Sequence, residues 1–356
     1  MKSLPLWTLV VPVVGWLLLG GSALGWGGAY ALVIVAGLIA CVFAGVFHAE
    51  VVAHRVGEPF GTLVLAIAIT VIEVALIVTL MRAGGTESTA LARDTVFAAV
   101  MIILNGIVGL CLLVGGSQYH EQEFELQGTS ASLTTLAAIA VLTMVLPNYT
   151  ETTPGPVYSS GQLAFVAAVT LLLYGVFVLV QTVRHRDYFL PRNARSAEEH
   201  ADPPANATAL ASAALMVVAL AAVVMMAKKL SPAVEAGVLM AGAPASLVGV
   251  VIAMVVLLPE GYAALRAARA NRLQTSLNLA LGSALASIGL SIPVVATLSL
   301  WNGWTLTLGL DPKATALLVL TLFISALSLS TGRTTVMQGA VHLVLFAVYL
   351  LVSIVP

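Results

Sequence analysis

The chain alternates between long apolar runs and short stretches rich in charge, glycine or proline. The runs fall near 4–22, 29–52, 59–81, 95–116, 131–147, 161–183, 207–227, 236–265, 274–299, 313–331 and 335–355. A helix that crosses a bilayer needs about 20 mostly apolar residues. Each run therefore predicts one spanning helix, about 11 transmembrane helices in all. Inside the runs apolarity is continuous rather than alternating, which excludes a transmembrane β-barrel. The expected fold class is an all-α polytopic membrane protein. The first run follows Lys2, and Ala29-Tyr30-Ala31 has the look of a signal-peptide cleavage site. We expect a retained helix; if it were removed, ten would remain.

Composition narrows the function. The chain is 60% hydrophobic and 9% charged, with a mean hydropathy of +1.04. Soluble domains carry about 25% charge. Fifteen basic and sixteen acidic residues are too few to cover a water-facing surface. This excludes an ordinary cytosolic enzyme, a nucleic-acid binder and a disordered chain. The net charge of −1 implies no polyanionic partner. Cys41 and Cys111 both lie inside apolar runs, which excludes a disulfide framework and a thiolate metal site.

Lysine and arginine set the expected orientation. If alternate loops lie on opposite faces, one face collects Lys2, Arg55, Arg184, Arg186, Arg192, Arg195, Arg266, Arg269, Arg272 and Arg333. The other collects Arg82, Arg93, Lys228, Lys229 and Lys313. This asymmetry predicts a cytoplasmic N-terminus and a C-terminus outside, in a multi-pass protein of the cell (inner) membrane. The stretch 184–206 is charged and contains Pro191, Pro203 and Pro204; it reads as a cytoplasmic linker between two halves. The loop 115–128 carries Glu121, Glu123 and Glu125, which is expected to be solvated surface.

Almost all acids lie in loops or at run ends, but Glu73 does not. It stands fourteen residues past Pro59, about 21 Å along a helix, close to the bilayer midplane. An ionisable group at that depth costs about 2.5–3.5 kcal/mol or more and marks a functional site. Glu260 comes late in its run, before Arg266 and Arg269. The apolar run nevertheless continues past it, and Pro259 removes a backbone donor beside it. Broken helices mark ion sites in transporters. The runs bearing Glu73 and Glu260 are five positions apart, so their helices cross in opposite directions. Their lead-ins, LAIAITVIE and VIAMVVLLPE, are similar. This is the pattern of an inverted-topology repeat with its site at the repeat interface.

The run after Glu73 carries Asn105 mid-span. The run after Glu260 carries Ser283, Ser287 and Ser291 at four-residue intervals, one small polar face of a helix. Small residues also mediate helix packing in membranes; facing two buried acids, these serines lean towards ligands. Glu50 and Glu58 are expected at the interface near His54 and Arg55. His342 stands alone in the last run and is expected to be a packing histidine. Enzyme readings fail: His48, Glu50 and His54 lack the H-E-x-x-H spacing, and neither G-x-S-x-G nor a Walker A motif occurs.

The segments GEPFGTLVLAIAITVIEVALI, GGSQYHEQEFELQGTSASL and LPEGYAALRAARANRLQTSLNLALGSALASIGLSIP resemble the calcium/proton exchanger family of the cation/calcium exchanger superfamily, in particular ChaA-type bacterial cation/proton antiporters. The resemblance covers nearly the whole chain from about residue 45. It implies a ten-helix core of two inverted five-helix repeats: an extra helix at 1–28, a first repeat at 29–183, the linker at 184–206 and a second repeat at 207–356. It implies that Glu73 and Glu260 bind cation and proton, that Asn105 and Ser287 match the polar positions of the following helices, and that Ser283 stands beside them. The chain departs from the family where LLPEGYAA replaces a Gly-Asn-Ala-type stretch before the second acid, and where Asn278 replaces a common Asp. The ion is therefore open among Ca2+, Na+ and K+.

The expected function is secondary active antiport, exchanging Ca2+, with Na+ or K+ as the other candidates, for protons by alternating access and exporting the cation at the expense of the proton gradient. Each carboxyl can hold a proton or ligate a cation, but not both at once, which couples the two fluxes. The expected partners are the inorganic cation, protons and the lipid bilayer, with no nucleic acid. No cofactor is expected beyond the transported ions, and the protein is not expected to be an enzyme. A sodium-coupled calcium exchanger or a membrane-embedded hydrolase are the alternatives.

Overall fold

The protein is described by a computed structural model covering residues 4–22, 29–57, 60–84, 89–190, 204–240, 242, 244 and 247–355. In chain order the helices are α1 (Leu6–Ser22), α2 (Ala29–Val56), α3 (Phe60–Gly84), α4 (Leu91–Met101), α5 (Val108–Tyr119), α6 (Leu126–Ala140), α7 (Ser160–Leu179), α8 (Asn206–Met240), α9 (Leu247–Val256), α10 (Leu258–Arg269), α11 (Leu273–Asn302), α12 (Pro312–Ser328) and α13 (Val336–Ile354). Ten of the eleven predicted apolar runs each fall on one helical span; the run 236–265 takes in the end of α8 as well as α9 and α10. Among the described residues seven helices are long and apolar enough to cross a bilayer, and an eighth if the bent pair α9–α10 is one span. Three shorter apolar helices, Leu6–Gly21, Ala66–Thr79 and Pro312–Ser328, match the remaining runs. Most of the predicted linker, residues 191–203, lies outside the described residues; its start closes with a short 3₁₀ turn, Arg186–Phe189.

The predicted loop at 228–235 is not formed. Helix α8 continues through Lys228, Lys229 and Pro232 to Met240. Lysine is a good helix former, and its long stem carries the ammonium away from apolar surroundings. Charge therefore ended the apolar run without ending the helix. Pro232 removes one backbone bond, and the helix absorbs it.

The helices group into two compact units, each drawn from both parts of the chain: Met1–Ala83 with Glu199–Val248, and Gly84–Glu198 with Gly249–Pro356. In the first, α1, α2 and α8 pack pairwise. Pro12 in α1 has no N–H, so the Thr8 carbonyl lacks its usual donor four residues on. His48 of α2, fully buried, fills that vacancy through Nε2 at 2.9 Å. Its role there is structural. Helix α2 ends at Gly57, whose φ of +76° suits a glycine after a helix terminus.

In the second unit α11 is central and packs on α4, α5, α6, α7 and α10. The span Leu91–Tyr119 and α11 are the most buried of the seven spanning-length helices. The outer helix α13 is exposed along one stripe. On α13, Met337, Val341, Val344, Val348 and Leu351 are outward, whereas Gly339, His342 and Tyr349 are buried. This is the three-to-four residue spacing of a helix face. The loops of this unit meet at two ends. At one end Thr307 N–H donates to the Thr89 carbonyl (3.1 Å), and Gly309 N–H to Pro156 (3.0 Å). The same end holds Asn148 Nδ2 on the Leu310 carbonyl (2.7 Å) and Arg93 Nη1 on the Gly309 carbonyl (2.8 Å). At the other, β1 (Gln122–Glu123) pairs antiparallel with β2 (Arg333–Thr334). There Gln122 Nε2 also donates to Ala268 and Asn271. Glu121 and Glu123 pair with Arg333 at 3.8 and 3.2 Å, so the acidic loop is ion-paired surface.

Helices α5 and α13 approach closely because both lack side chains where they touch. A Cβ on Gly339 would collide with the Leu113 backbone, and one on Gly109 would lie 2.9 Å from His342 Cβ. Gly339→Val is expected to destabilise by about 1–3 kcal/mol through overpacking, read as a lower thermal midpoint of the purified protein in detergent. Gly175→Val, on open surface, is expected to shift the midpoint little.

Candidate cation site

Three irregular points in the second unit carry the predicted site residues. The first interrupts the span Leu91–Tyr119: residues Ile102–Ile107 form a π-helical turn, and Asn105 sits inside it, fully buried. Single π turns inside α-helices concentrate at functional sites. The second is the junction of α9 and α10, bent by 55°. Leu257 is the N-cap of α10 and Pro259 stands in its first turn with Glu260. Pro259 cannot donate, so the helix opens there. Glu260 is 8% exposed and thus lies at a break rather than at a helix end. The third is the serine face of α11. Ser287 and Ser291 are buried, and Ser283 has a buried Oγ with no hydrogen-bond partner among the described residues.

These points meet. The π turn packs against both α10 and α11, and α10 packs along α11. Gly261, next to Glu260, allows Ile107 within 3.2 Å of where its Cβ would be. The structure therefore gathers the elements bearing Asn105, Glu260, Ser283 and Ser287 into one unit. Glu73 belongs to the other unit, in α3, and is 5% exposed. It lies thirteen residues after Phe60, where its helix starts, as Glu260 lies thirteen after Leu247. Among the described residues, no three His, Cys, Asp or Glu side chains converge as a metal cluster.

Sequence reasoning missed four residues here. Thr70, one turn before Glu73, is buried with an unpartnered hydroxyl among the described residues. The T-x-x-E spacing on a helix was the available signal. Thr321 and Ser328 of α12 and Met101 of α4 surround Asn105 and His342. Asn105 Nδ2 donates to Thr321 Oγ1 at 2.9 Å, and Thr321 Oγ1 lies 3.5 Å from Met101 Sδ. Asn105 Oδ1 lies 3.3 Å from His342 Nδ1, and His342 Nε2 lies 2.8 Å from Ser328 Oγ. His342 is buried in the packing, as expected from sequence, but it is not solitary: other helices tie it to Ser328 and to a predicted ligand, Asn105. No sequence signal placed α12 beside the π turn. Asn278 donates through Nδ2 to the Phe189 carbonyl at 2.5 Å and accepts from Gln274 at 2.9 Å. Its amide thus anchors the turn after α7.

At the end of the unit holding Arg93, a cavity of about 1100 Å³ is lined by Arg93, Asn148, Glu151, Asp311, Thr315 and Phe323 among others. None of the predicted site residues lines it. Arg93 is held there by Asp94 at 2.7 Å as well as by Gly309.

A membrane protein of packed, broken helices with buried carboxyl and amide groups mid-span has the make-up of a secondary transporter. The chain belongs to the sodium/calcium exchanger protein family, whose sequence pattern matches residues 26–183 and 211–355. It is 48% identical to y4hA of Sinorhizobium fredii, named as an ionic transporter, over 99% of this chain and 97% of that one. It is 35% identical to the sodium-potassium/proton antiporter ChaA of Escherichia coli, over 90% of this chain and 87% of that one. Its fold matches the crystal structure of an H+/Ca2+ exchanger, CAX, with a TM-score of 0.72 and 16% identity, over 97% of this chain and 87% of that one. The chain is thus a multi-pass cation transporter of the exchanger type, related to ChaA-type antiporters.

The Asn105–Thr321 bond crosses from the π turn to α12. Thr321→Val keeps the shape but leaves a buried N–H unmatched. The expected cost is about 1–3 kcal/mol, seen as a lower thermal midpoint. Thr297→Val, whose hydroxyl only returns to its own helix at Pro293, is expected to be near neutral.

Proposed function

We propose that the protein exchanges a metal cation for protons across the inner membrane by alternating access, exporting cation at the expense of the proton gradient. Glu73 and Glu260 are the groups that hold either a proton or the cation. Asn105, Ser287, Ser283 and Thr70 add neutral oxygens. The observation that carries this reading is the burial of two carboxyls, each thirteen residues into an apolar span. Buried polar groups in membranes are kept only where function or a partner compensates them. The orphaned hydroxyls of Thr70 and Ser283 suit such a site, because a bound hard cation takes oxygen ligands.

Ca2+, Na+ and K+ are the candidate cations. Calcium takes 6–8 oxygen ligands and is neutralised by two carboxylates. The relative ChaA is named for sodium and potassium and the CAX structure for calcium. In this reading the chain crosses the membrane eleven times, with an extra helix before two inverted halves at 29–183 and 207–356. The N-terminus is cytoplasmic and the C-terminus outside. The joining of 89–93, 148–159 and 303–311 at one end of the second unit, and of 120–125 and 330–335 at the other, supports the alternation of loops that this topology needs.

The test uses everted membrane vesicles energised to an acidic interior and a pH-sensitive dye. Calcium, sodium and potassium are added in turn. At least one is expected to release protons from the vesicles, and Glu73→Gln and Glu260→Gln are each expected to abolish the release at wild-type membrane levels. A Glu73→Gln protein that exchanges normally would overturn the assignment.

A further inference from the structure

The hydrogen bonds around Asn105 fix the state of the His342 ring. Met101 Sδ carries no hydrogen and can only accept. Thr321 Oγ1 therefore spends its single hydrogen on Met101 Sδ, at 3.5 Å. It must then accept from Asn105, so the amide group facing it at 2.9 Å is the nitrogen. The same nitrogen also lies 3.9 Å from Met101 Sδ. The amide group facing His342 Nδ1 at 3.3 Å is therefore the oxygen. An oxygen of this kind only accepts, so Nδ1 carries the hydrogen. On the far side of the ring Nε2 has no hydrogen in this tautomer and accepts from Ser328 at 2.8 Å, a closer partner for that hydroxyl than the Ser325 carbonyl at 3.3 Å.

From this we infer that His342 is a positioning residue: through its Nδ1–H it fixes which end of the Asn105 amide is oxygen, and so keeps Asn105 able to ligate the cation. The inference rests on the exchanger reading above, in which Asn105 is a ligand. An amide oxygen has two lone pairs; the bond from His342 uses one and leaves one for a cation. A flipped amide would present two hydrogens to a cation and repel it. Thr321 supports the same orientation from the nitrogen side, and the close contact of Gly109 with His342 Cβ fixes the depth of the ring. Partners that orient ligands in this way commonly carry about 10–100-fold in metal affinity.

Asparagine and glutamine separate the two ring nitrogens. Asn places its amide near the position of Nδ1, and Gln near that of Nε2. Purified protein in detergent is titrated calorimetrically with CaCl2, NaCl and KCl, for wild type, His342→Asn, His342→Gln and Thr321→Val. Thermal midpoints are taken in parallel. The strongest-binding cation is expected to bind His342→Gln about tenfold more weakly. His342→Asn is expected to recover most of that loss, although it fills less space. Thr321→Val is expected to weaken binding in the same direction. If binding follows side-chain size or thermal midpoint, with His342→Gln tighter than His342→Asn, the positioning role is overturned. It is equally overturned if all variants bind as wild type does, or if the wild type binds none of the three cations. Binding without proton release in the vesicle assay would instead sink the exchange reading and leave the ranking of variants to decide this one.

Discussion

Inside a bilayer, a polar group that lacks a protein partner has no water to turn to. Much of the second unit is arranged around that constraint. The π turn at Ile102–Ile107 holds the fully buried Asn105 amide, and α13 brings the His342 imidazole to it. The imidazole has a second nitrogen to satisfy; α12 supplies Ser328. The same displaced turn aims Asn105 across to Thr321 of α12. One irregular turn thereby determines which side chains three neighbouring helices carry at that depth. The first unit answers the same constraint at Pro12, where His48 meets the Thr8 carbonyl.

The close approach of α5 and α13 is the packing counterpart. The His342 imidazole reaches the Asn105 amide of the π turn only if the two axes lie near each other. Gly109 and Gly339 permit this, since each would carry a Cβ into the other helix. Close-packed backbones of this kind supply the van der Waals contact that holds helices together where lipid removes the hydrophobic driving force. The polar cluster and the glycine contact are parts of one interface.

Most of the architecture was legible because the bilayer imposes a single length scale on the sequence. Continuous apolar runs located the spanning helices among the described residues, apart from the boundary near Lys228, and the acid at Glu73 stood out because charge is rare at that depth. Pro259 announced the break at Glu260. Two failures have different causes. The turn expected near Lys228 was misplaced because hydropathy measures lipid compatibility, whereas the helix α8 depends on backbone propensity. His342 was read as solitary because sequence spacing reports only neighbours on the same helix; its partners come from the π turn and α12. Asn105 was picked out by depth, but the π turn that holds it leaves no mark in composition. The neighbours of Glu73 were half legible: Thr70 lies on the same helix face, yet its burial was not readable from the spacing alone.

The wiring of Asn105 also bears on how the molecule is made. A chain is threaded into the membrane from its first helix onward, and Asn105 is inserted long before His342, which belongs to the final helix. Until then the π turn exposes the Asn105 amide to lipid or to provisional partners. The second unit therefore cannot mature helix by helix; its centre is finished only when its last segment arrives. Loss of α13 would strip the interior of the unit rather than trim its edge, and assembly intermediates should be most vulnerable to quality control at this last stage.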